Sequence, residues 1–180
     1  MKKLKEHPIL GVVWEFGKIV VFAVVFALIF TQFVVVNATV PSGSMEMTIR
    51  TDDRIIAFRL AYLFSSPSRY DIIVFRAPDD ENILNIKRVI GLSGETVEIR
   101  DGLVYINGSE EPLRSDFVHG AIFGDHGPYV VPEGHFFVLG DYRSISSDSR
   151  YWENTFVSRQ QILGRAIFRY FPGIKGLMNT

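Results

Sequence analysis

An apolar stretch near the N-terminus constrains this chain more than any other feature. Residues 19–30 contain no polar side chain, and after Thr31 and Gln32 the apolar character continues to Val36. Eighteen helical residues span about 27 Å, close to the thickness of the hydrocarbon core of a bilayer. The run is longer than the apolar core of a cleavable secretory signal, and a buried helix of a soluble protein would show a polar face. We therefore expect an uncleaved transmembrane anchor over residues 19–36.

The charges before the anchor predict on which side of the membrane each end of the chain lies. Four lysines precede the apolar stretch, against two glutamates. Cationic residues before a first span favour a cytoplasmic N-terminus, so residues 1–18 are predicted to be cytoplasmic and residues 37–180 to lie outside. Ser44 follows Val36 by eight residues, which places it within about 30 Å of the membrane exit even in an extended chain.

Composition excludes several classes of function. The formal net charge is −1, which gives no electrostatic footprint for nucleic-acid binding. The chain has no cysteine, so it has neither disulfides nor a thiolate nucleophile or metal ligand. No metal-ligand spacing occurs among the other residues, and no cofactor or metal is expected.

Short β-branched and aromatic runs separated by turn residues predict a mainly β domain built from antiparallel strands. Asp101-Gly102 and Asn107-Gly108 are strong hairpin turn signals, and residues 97–135 are expected to form a hairpin and a loop-rich insertion. Residues 60–64 are apolar and fit either a core-packed turn of helix, which we favour, or an exposed loop in the membrane interface. The predicted strands are residues 54–58, 71–75, 83–90, 97–100, 103–106, 135–139 and 162–170.

Ser44 and Lys87 are the residues whose chemistry could work together. A serine hydroxyl needs a base to become a nucleophile, and none of the four histidines lies in a recognisable triad motif. A lysine acts as a base only when neutral, which requires a dry apolar environment. In a strand, Lys87 and Arg88 point to opposite faces, so one can be buried while the other is solvated or paired. From spacing alone, however, a Lys-Arg pair on a strand is most often solvated surface.

Three segments, with a fourth beside them, resemble the signature boxes of the bacterial type I signal peptidases. They are Ser42-Gly43-Ser44-Met45, then residues 86–91 (Ile-Lys-Arg-Val-Ile-Gly), then residues 140–150 with Gly-Asp, Arg143, Ser146 and Asp-Ser-Arg; the fourth is residues 71–75. The boxes and the anchor stand in the family order, so the resemblance covers nearly the whole chain.

This resemblance implies a signal-peptidase-like β fold and a Ser-Lys dyad. Ser44 would be the nucleophile and Lys87 the general base, while the Ser44 N–H and the Ser42 hydroxyl would form the oxyanion hole. Ser146 would hydrogen-bond the Lys87 amine. The supporting residues it implies are Gly43, Met45 and Ser146, together with the ion pairs Arg88–Asp141 and Asp148–Arg150.

The sequence also departs from the family pattern. Met47 stands where the family usually has proline, and Tyr70 stands where it commonly has glycine. Tyr142 and Ile145 replace common asparagines, and Ser93 replaces a usual proline. These changes leave Ser42, Ser44, Lys87 and Ser146 in place.

The predicted function is removal of signal peptides from exported preproteins after an Ala-X-Ala-like site, at the extracytoplasmic face of a bacterial cell membrane. The expected partners are signal peptides and membrane lipid, with no nucleic acid, and a monomer is assumed. Two alternatives remain open: a specialised relative that processes one or a few substrates, and an anchored β module that binds partners without cleaving them.

Overall fold

The structure is a computed structural model that describes residues 8–178. It contains two units, residues 1–35 and residues 36–180. The first unit is helix α1 (Pro8–Phe33), within which Gly11–Phe33 is long and apolar enough to cross a bilayer. The helix begins earlier and ends earlier than the predicted 19–36 anchor, because residues from Val35 onward form a strand instead. Lys2, Lys3 and Lys5, on which the predicted orientation partly rests, lie outside the described residues.

The second unit is built from two antiparallel sheets, which confirms the predicted mainly β class. The large sheet has the order β1-β2-β10-β3-β4-β8-β9, with β11 paired to β10, and the small sheet has the order β6-β5-β7. The strands are β1 (Val35–Thr39), β2 (Arg54–Phe58), β3 (Ile72–Arg76), β4 (Leu84–Gly91), β5 (Thr96–Arg100), β6 (Leu103–Ile106), β7 (His126–Val130), β8 (His135–Leu139), β9 (Val157–Ser158), β10 (Ile162–Phe171) and β11 (Lys175–Gly176).

Strands β3 and β4 form the centre of the large sheet and are almost fully buried. β3 is apolar from Ile72 to Phe75, whereas β4 is buried from Ile86 to Gly91 although it contains Lys87 and Arg88. In their antiparallel register, Ile73 pairs with Lys87 and Ile72 with Arg88. This pairing fixes both basic residues in the sheet interior.

The predicted hairpin is confirmed at its first turn. Arg100 pairs with Leu103 across Asp101-Gly102, and both turn residues have positive φ, as a two-residue type I′ turn requires. Asn107-Gly108 also has positive φ, but the chain continues from it into a long loop. The third strand of the small sheet is β7, which pairs with β5.

The apolar segment at residues 60–64 combines a core-packed turn of helix with an exposed end. A 3₁₀ turn spans Arg59–Tyr62, and the Tyr62 ring is buried in the core. Leu63 is 61% exposed and Phe64 is 96% exposed. The turn therefore packs as a short helix, whereas its end projects from the domain.

Four strands were not predicted from the sequence: β1, β7, β9 and β11. Strand β7 contains Gly127 and Pro128, which ordinarily argue against a strand. Strands β9 and β11 have two residues each, too few for a periodic pattern. Strand β1 continues the apolar sequence of the predicted anchor, which hides its alternation.

Candidate active site

A short turn on the surface of the large sheet carries Ser44. The 3₁₀ turn Gly43–Met45 follows Ser42, whose backbone is extended. Met45 is 1% exposed, and its sulfur accepts a hydrogen bond from the Asp141 N–H at 3.4 Å. The Ser44 carbonyl accepts a hydrogen bond from the Tyr142 N–H at 3.0 Å. Met45 therefore anchors the turn in the core and fixes Ser44 against the segment that follows β8.

Lys87 reaches this turn from β4. Its Nζ lies 2.5 Å from the Ser44 Oγ, and the lysine is 3% exposed. The pKa of Lys87 is lowered from 10.5 to about 8, chiefly by burial; Arg150 also acts to lower it, while Asp148 and Asp141 act to raise it. A large fraction of the amine is therefore neutral near pH 8, and it already contacts the hydroxyl from which it would take a proton.

The hydroxyl of Ser42 lies on the solvent side of the pair. Its Oγ is 3.3 Å from the Ser44 Oγ. Both serines and Lys87 line a cleft of about 360 Å³. The other walls of this cleft are largely apolar and come from the β3–β4 turn and from the segment after β8; they include Ala77, Pro78, Ile83, Ile145 and Trp152.

A buried ion pair lies behind the site. Arg88 donates to both Asp141 oxygens, at 2.8 and 2.6 Å, and both side chains are at most 1% exposed. The Thr48 hydroxyl also donates to the Asp141 carboxylate, at 2.6 Å. Asp141 thus links β4 to the segment that follows Ser44. Thr48 is not among the site residues predicted from the sequence, although it follows Ser44 by four residues.

A second buried ion pair shapes the loop after β8. Arg150 donates to both oxygens of Asp148, at 2.8 and 2.9 Å, with both side chains fully buried. The Gly140 N–H donates to Asp148, and Arg150 also donates to the Arg143 carbonyl. These bonds hold the loop in a single compact arrangement beside Lys87.

Ser146 differs from its expected contact. Its Oγ is buried, and within residues 8–178 it has no hydrogen-bond partner, so the expected hydrogen bond to the Lys87 amine is not formed. Ser146 packs instead against Gly140, where an added Cβ would lie 2.3 Å from the Ser146 Oγ and 2.4 Å from the Ser44 carbonyl oxygen. Gly140 is therefore needed for close packing behind Ser44.

Two of the departures from the family pattern have an unusual backbone. Met47 has φ 76° and Tyr70 has φ 74°. The common glycine at position 70 would adopt this left-handed conformation without strain. At Tyr70, the carbonyl accepts a hydrogen bond from Arg88, and the ring packs edge-on against Phe117. A proline at position 47 would require φ near −65° and so a different turn.

The other three departures lie at the surface or near it. Ile145 is 59% exposed and lines the cleft. Tyr142 is half-buried and forms a bridge with His119. Ser93 donates a hydrogen bond to the His135 carbonyl. Of these, only Ile145 lies where it would touch a ligand in the cleft.

Across residues 8–178, no group of three or more His, Asp or Glu side chains is arranged to hold a metal ion. No histidine lines the cleft that contains Ser44 and Lys87. Of the groups that line the cleft, the Lys87 amine is the one in contact with the Ser44 hydroxyl.

Comparison with known proteins assigns the family. The profile of the signal peptidase family, peptidase S26, matches residues 13–171. The chain belongs to this family of serine endopeptidases. It is 38% identical to a probable signal peptidase I-2 of Synechocystis over 175 residues, covering 94% of this chain and 78% of the relative. It is 41% identical to a signal peptidase I of Leptolyngbya laminosa over 162 residues, covering 86% and 78%.

A solved structure of a family member is also similar. It is a signal peptidase I from Enterococcus faecalis, 37% identical, with a TM-score of 0.49. The match covers 56% of this chain and 97% of that one. The resemblance proposed from the sequence boxes is thus confirmed by the family profile and by the curated relatives. The apolar helix α1 agrees with a membrane-anchored member of the family.

Proposed function

We propose that this chain is a membrane-anchored endopeptidase that removes signal peptides from exported preproteins, with Ser44 as nucleophile and Lys87 as general base. The observation that carries the proposal is the contact between the Lys87 Nζ and the Ser44 Oγ at 2.5 Å, at a buried lysine. No other base lies within hydrogen-bond distance of the Ser44 hydroxyl among the described residues.

The first step of the proposed reaction is acylation. Neutral Lys87 accepts the Ser44 hydroxyl proton while the Oγ attacks the carbonyl carbon of the scissile bond. The protonated lysine then donates this proton to the leaving amine, and the acyl-enzyme remains. A water molecule deprotonated by the same lysine releases the signal peptide and restores the serine. The proton balance closes at Lys87, so neither a metal nor a cofactor is required.

The oxyanion formed in each step would be stabilised by the Ser44 N–H and the Ser42 hydroxyl. Ser42 Oγ is positioned on the solvent side of Ser44, where it borders the cleft. Gly43 lies between the two serines. A Cβ added at Gly43 would have the Ile145 side chain as its nearest neighbour, at 3.5 Å. Without that Cβ, the turn leaves more room for a substrate backbone. Donors fixed before the reaction stabilise developing charge most effectively.

The remaining residues of the site act as positioning residues in this proposal. Asp141 orients Arg88 and Thr48, and Asp148 with Arg150 holds the loop that contains Ser146. Met45 anchors the turn from below. Ser146 contributes packing against Gly140 here, since its hydroxyl makes no hydrogen bond to Lys87.

The proposed preference for a small residue before the cut is supported by the family resemblance and by the apolar part of the cleft wall. The cleft has a volume of about 360 Å³, which must accommodate a backbone as well as side chains. A small side chain such as alanine fits shallow apolar pockets, whereas larger ones would clash. We propose an Ala-X-Ala-like site for this reason and on the family resemblance, at the extracytoplasmic face of a bacterial cell membrane.

The test is cleavage of a secretory preprotein with Ala-X-Ala before the cut, in detergent or lipid. Wild type is compared with Ser44→Ala and with Lys87→Ala, and product masses locate the cut. We expect cleavage by wild type only, at the Ala-X-Ala site. Retained activity in both variants would refute the dyad. A folded wild type that cleaves none of several general preproteins would favour the specialised relative.

A further inference from the structure

Three arginines are buried beside two carboxylates where β4 meets the loop after β8. Three arginines, Arg88, Arg143 and Arg150, are each at most 8% exposed. Among residues 8–178, the carboxylates that act on Arg143 are Asp141 and Asp148, and these already form close ion pairs with Arg88 and Arg150. Arg143 is therefore a buried guanidinium without a counterion of its own.

The contacts of Arg143 leave its terminal nitrogens open. The side chain is 3% exposed, and its Nε donates to the Gly140 carbonyl at 3.0 Å. Within residues 8–178, neither terminal nitrogen makes a hydrogen bond or an ion pair. Burial lowers the pKa of Arg143 to about 10, so the group is still charged at neutral pH. A buried charge without a partner is unfavourable unless something supplies the missing contacts.

Arg143 also lines a cavity of about 160 Å³. Apart from Arg143, most of its lining is aliphatic, with Ile90 from β4, Leu103 and Val104 from β6, and Leu113 and Val118 from the following loop. Arg114 and Ser115 also line it, so the cavity combines two arginines and a serine with aliphatic walls.

We propose that this cavity binds a small aliphatic monocarboxylate. The two terminal nitrogens of a guanidinium match the two oxygens of a carboxylate in a bidentate pair. A short hydrocarbon tail would contact the aliphatic walls and remove them from water.

Such a ligand would act on the segment next to the dyad. The Arg143 Nε holds the Gly140 carbonyl, and the Arg143 carbonyl accepts a hydrogen bond from Arg150. A carboxylate bound to Arg143 would therefore stabilise the loop between Asp141 and Arg150. The site is separate from the cleft, since the two share no lining residue.

The test is thermal unfolding of the full chain in detergent with acetate, propionate or butyrate, at constant ionic strength. We expect the Tm to rise by about 2–5 °C at saturation, with a larger effect for the longer acids than for acetate. The amide butyramide, which has the same tail without the charge, should give no increase. Arg143→Met should abolish the response, whereas Arg100→Met, an exposed arginine of the small sheet, should retain it.

A second variant covers the case in which Arg143→Met does not fold. Val118→Phe fills the cavity and leaves the guanidinium intact, and it should also abolish the response. The proposal is wrong if none of the acids raises the Tm, if chloride or butyramide raises it equally, or if the response persists in Val118→Phe. These outcomes do not depend on peptidase activity.

Discussion

The two sheets of the domain bury different kinds of side chain. The buried side chains of the small-sheet strands are Val97, Ile99 and Val104, all aliphatic. The corner of the large sheet where β4 meets β8 buries both basic residues of β4. The loop after β8 adds further buried charges, at Asp141, Arg143, Asp148 and Arg150.

This contrast distinguishes the small sheet, which only packs, from the corner of the large sheet, where buried charges could take part in a reaction. Burying charge is unfavourable unless each charge is paired and hydrogen-bonded, so a concentration of buried ions in one corner requires a reason. In the large sheet the ions surround a lysine whose pKa is lowered, as a general base would need. The small sheet carries no such group and serves as a packed support. If the contrast is correct, equivalent changes in the two regions will have unequal effects.

The largest difference between the two regions is expected when one partner of an ion pair is removed. Asp141→Ala leaves Arg88 buried without its carboxylate and should lower the free energy of unfolding by about 3–5 kcal/mol. Glu98→Ala removes the partner of Arg100 on the small sheet, in a pair whose side chains are 31% and 49% exposed. Glu98→Ala should lower the free energy of unfolding by at most about 1 kcal/mol. Urea unfolding measures both, and equal losses would contradict the contrast.

The next effect concerns catalysis. Ser42→Ala should lower kcat by about 10²–10³-fold, because it removes one donor to the oxyanion without altering the buried ion pairs. The matched control is Ser147→Ala, another exposed serine that lines the same cleft. It should change kcat by less than about threefold. A loss below threefold in Ser42→Ala as well would remove Ser42 from the mechanism.

Glycines of the two regions provide a smaller comparison. Gly140→Ala would force a Cβ to within 2.4 Å of the Ser44 carbonyl oxygen, so we expect a loss of about 1–3 kcal/mol and reduced cleavage. Gly108→Ala introduces a Cβ with no atom within 4 Å, at φ 69°. It should cost about 1 kcal/mol of backbone strain and leave cleavage unchanged. Loss of cleavage in Gly108→Ala would mean that the small sheet participates in the reaction.

The smallest effect is expected at Met47, in the nucleophile turn. Met47→Gly relieves the left-handed strain at φ 76° and should stabilise the domain by about 0.5 kcal/mol, after the entropy of glycine is subtracted. Glu46→Gly, at φ −51°, should destabilise it. Met47→Pro should also destabilise the domain, because proline cannot adopt a positive φ. Stabilisation by proline would show that the turn has the backbone usual in the family.

The sequence was most informative where structure is local. Asp101-Gly102 predicts its turn because both residues readily take positive φ, and the β2, β3, β4, β8 and β10 strands follow from their apolar runs. The sequence could not predict β7, whose Gly127 and Pro128 are unfavourable in isolation and are accommodated only by pairing with β5.

For the site, family resemblance indicated the residues, but their contacts depend on tertiary placement. Spacing alone could not indicate that Lys87 is buried, because that depends on β3 and on the loop after β8. Nor could it indicate that the Ser146 hydroxyl lacks a partner or that Arg143 lacks a counterion. Both depend on the ion pairs Arg88–Asp141 and Asp148–Arg150, which engage the two buried carboxylates of this region.

The most direct test of the central claim is the pH dependence of kcat/KM for cleavage between pH 6 and 10.5. A lysine acts as the base only in its neutral form, so activity must rise with pH through the pKa of Lys87 in the free enzyme. Burial lowers that pKa from 10.5 to about 8, and we predict an acid limb with an apparent pKa near 8. An acid limb near 10.5 would contradict a buried, neutral lysine as the base.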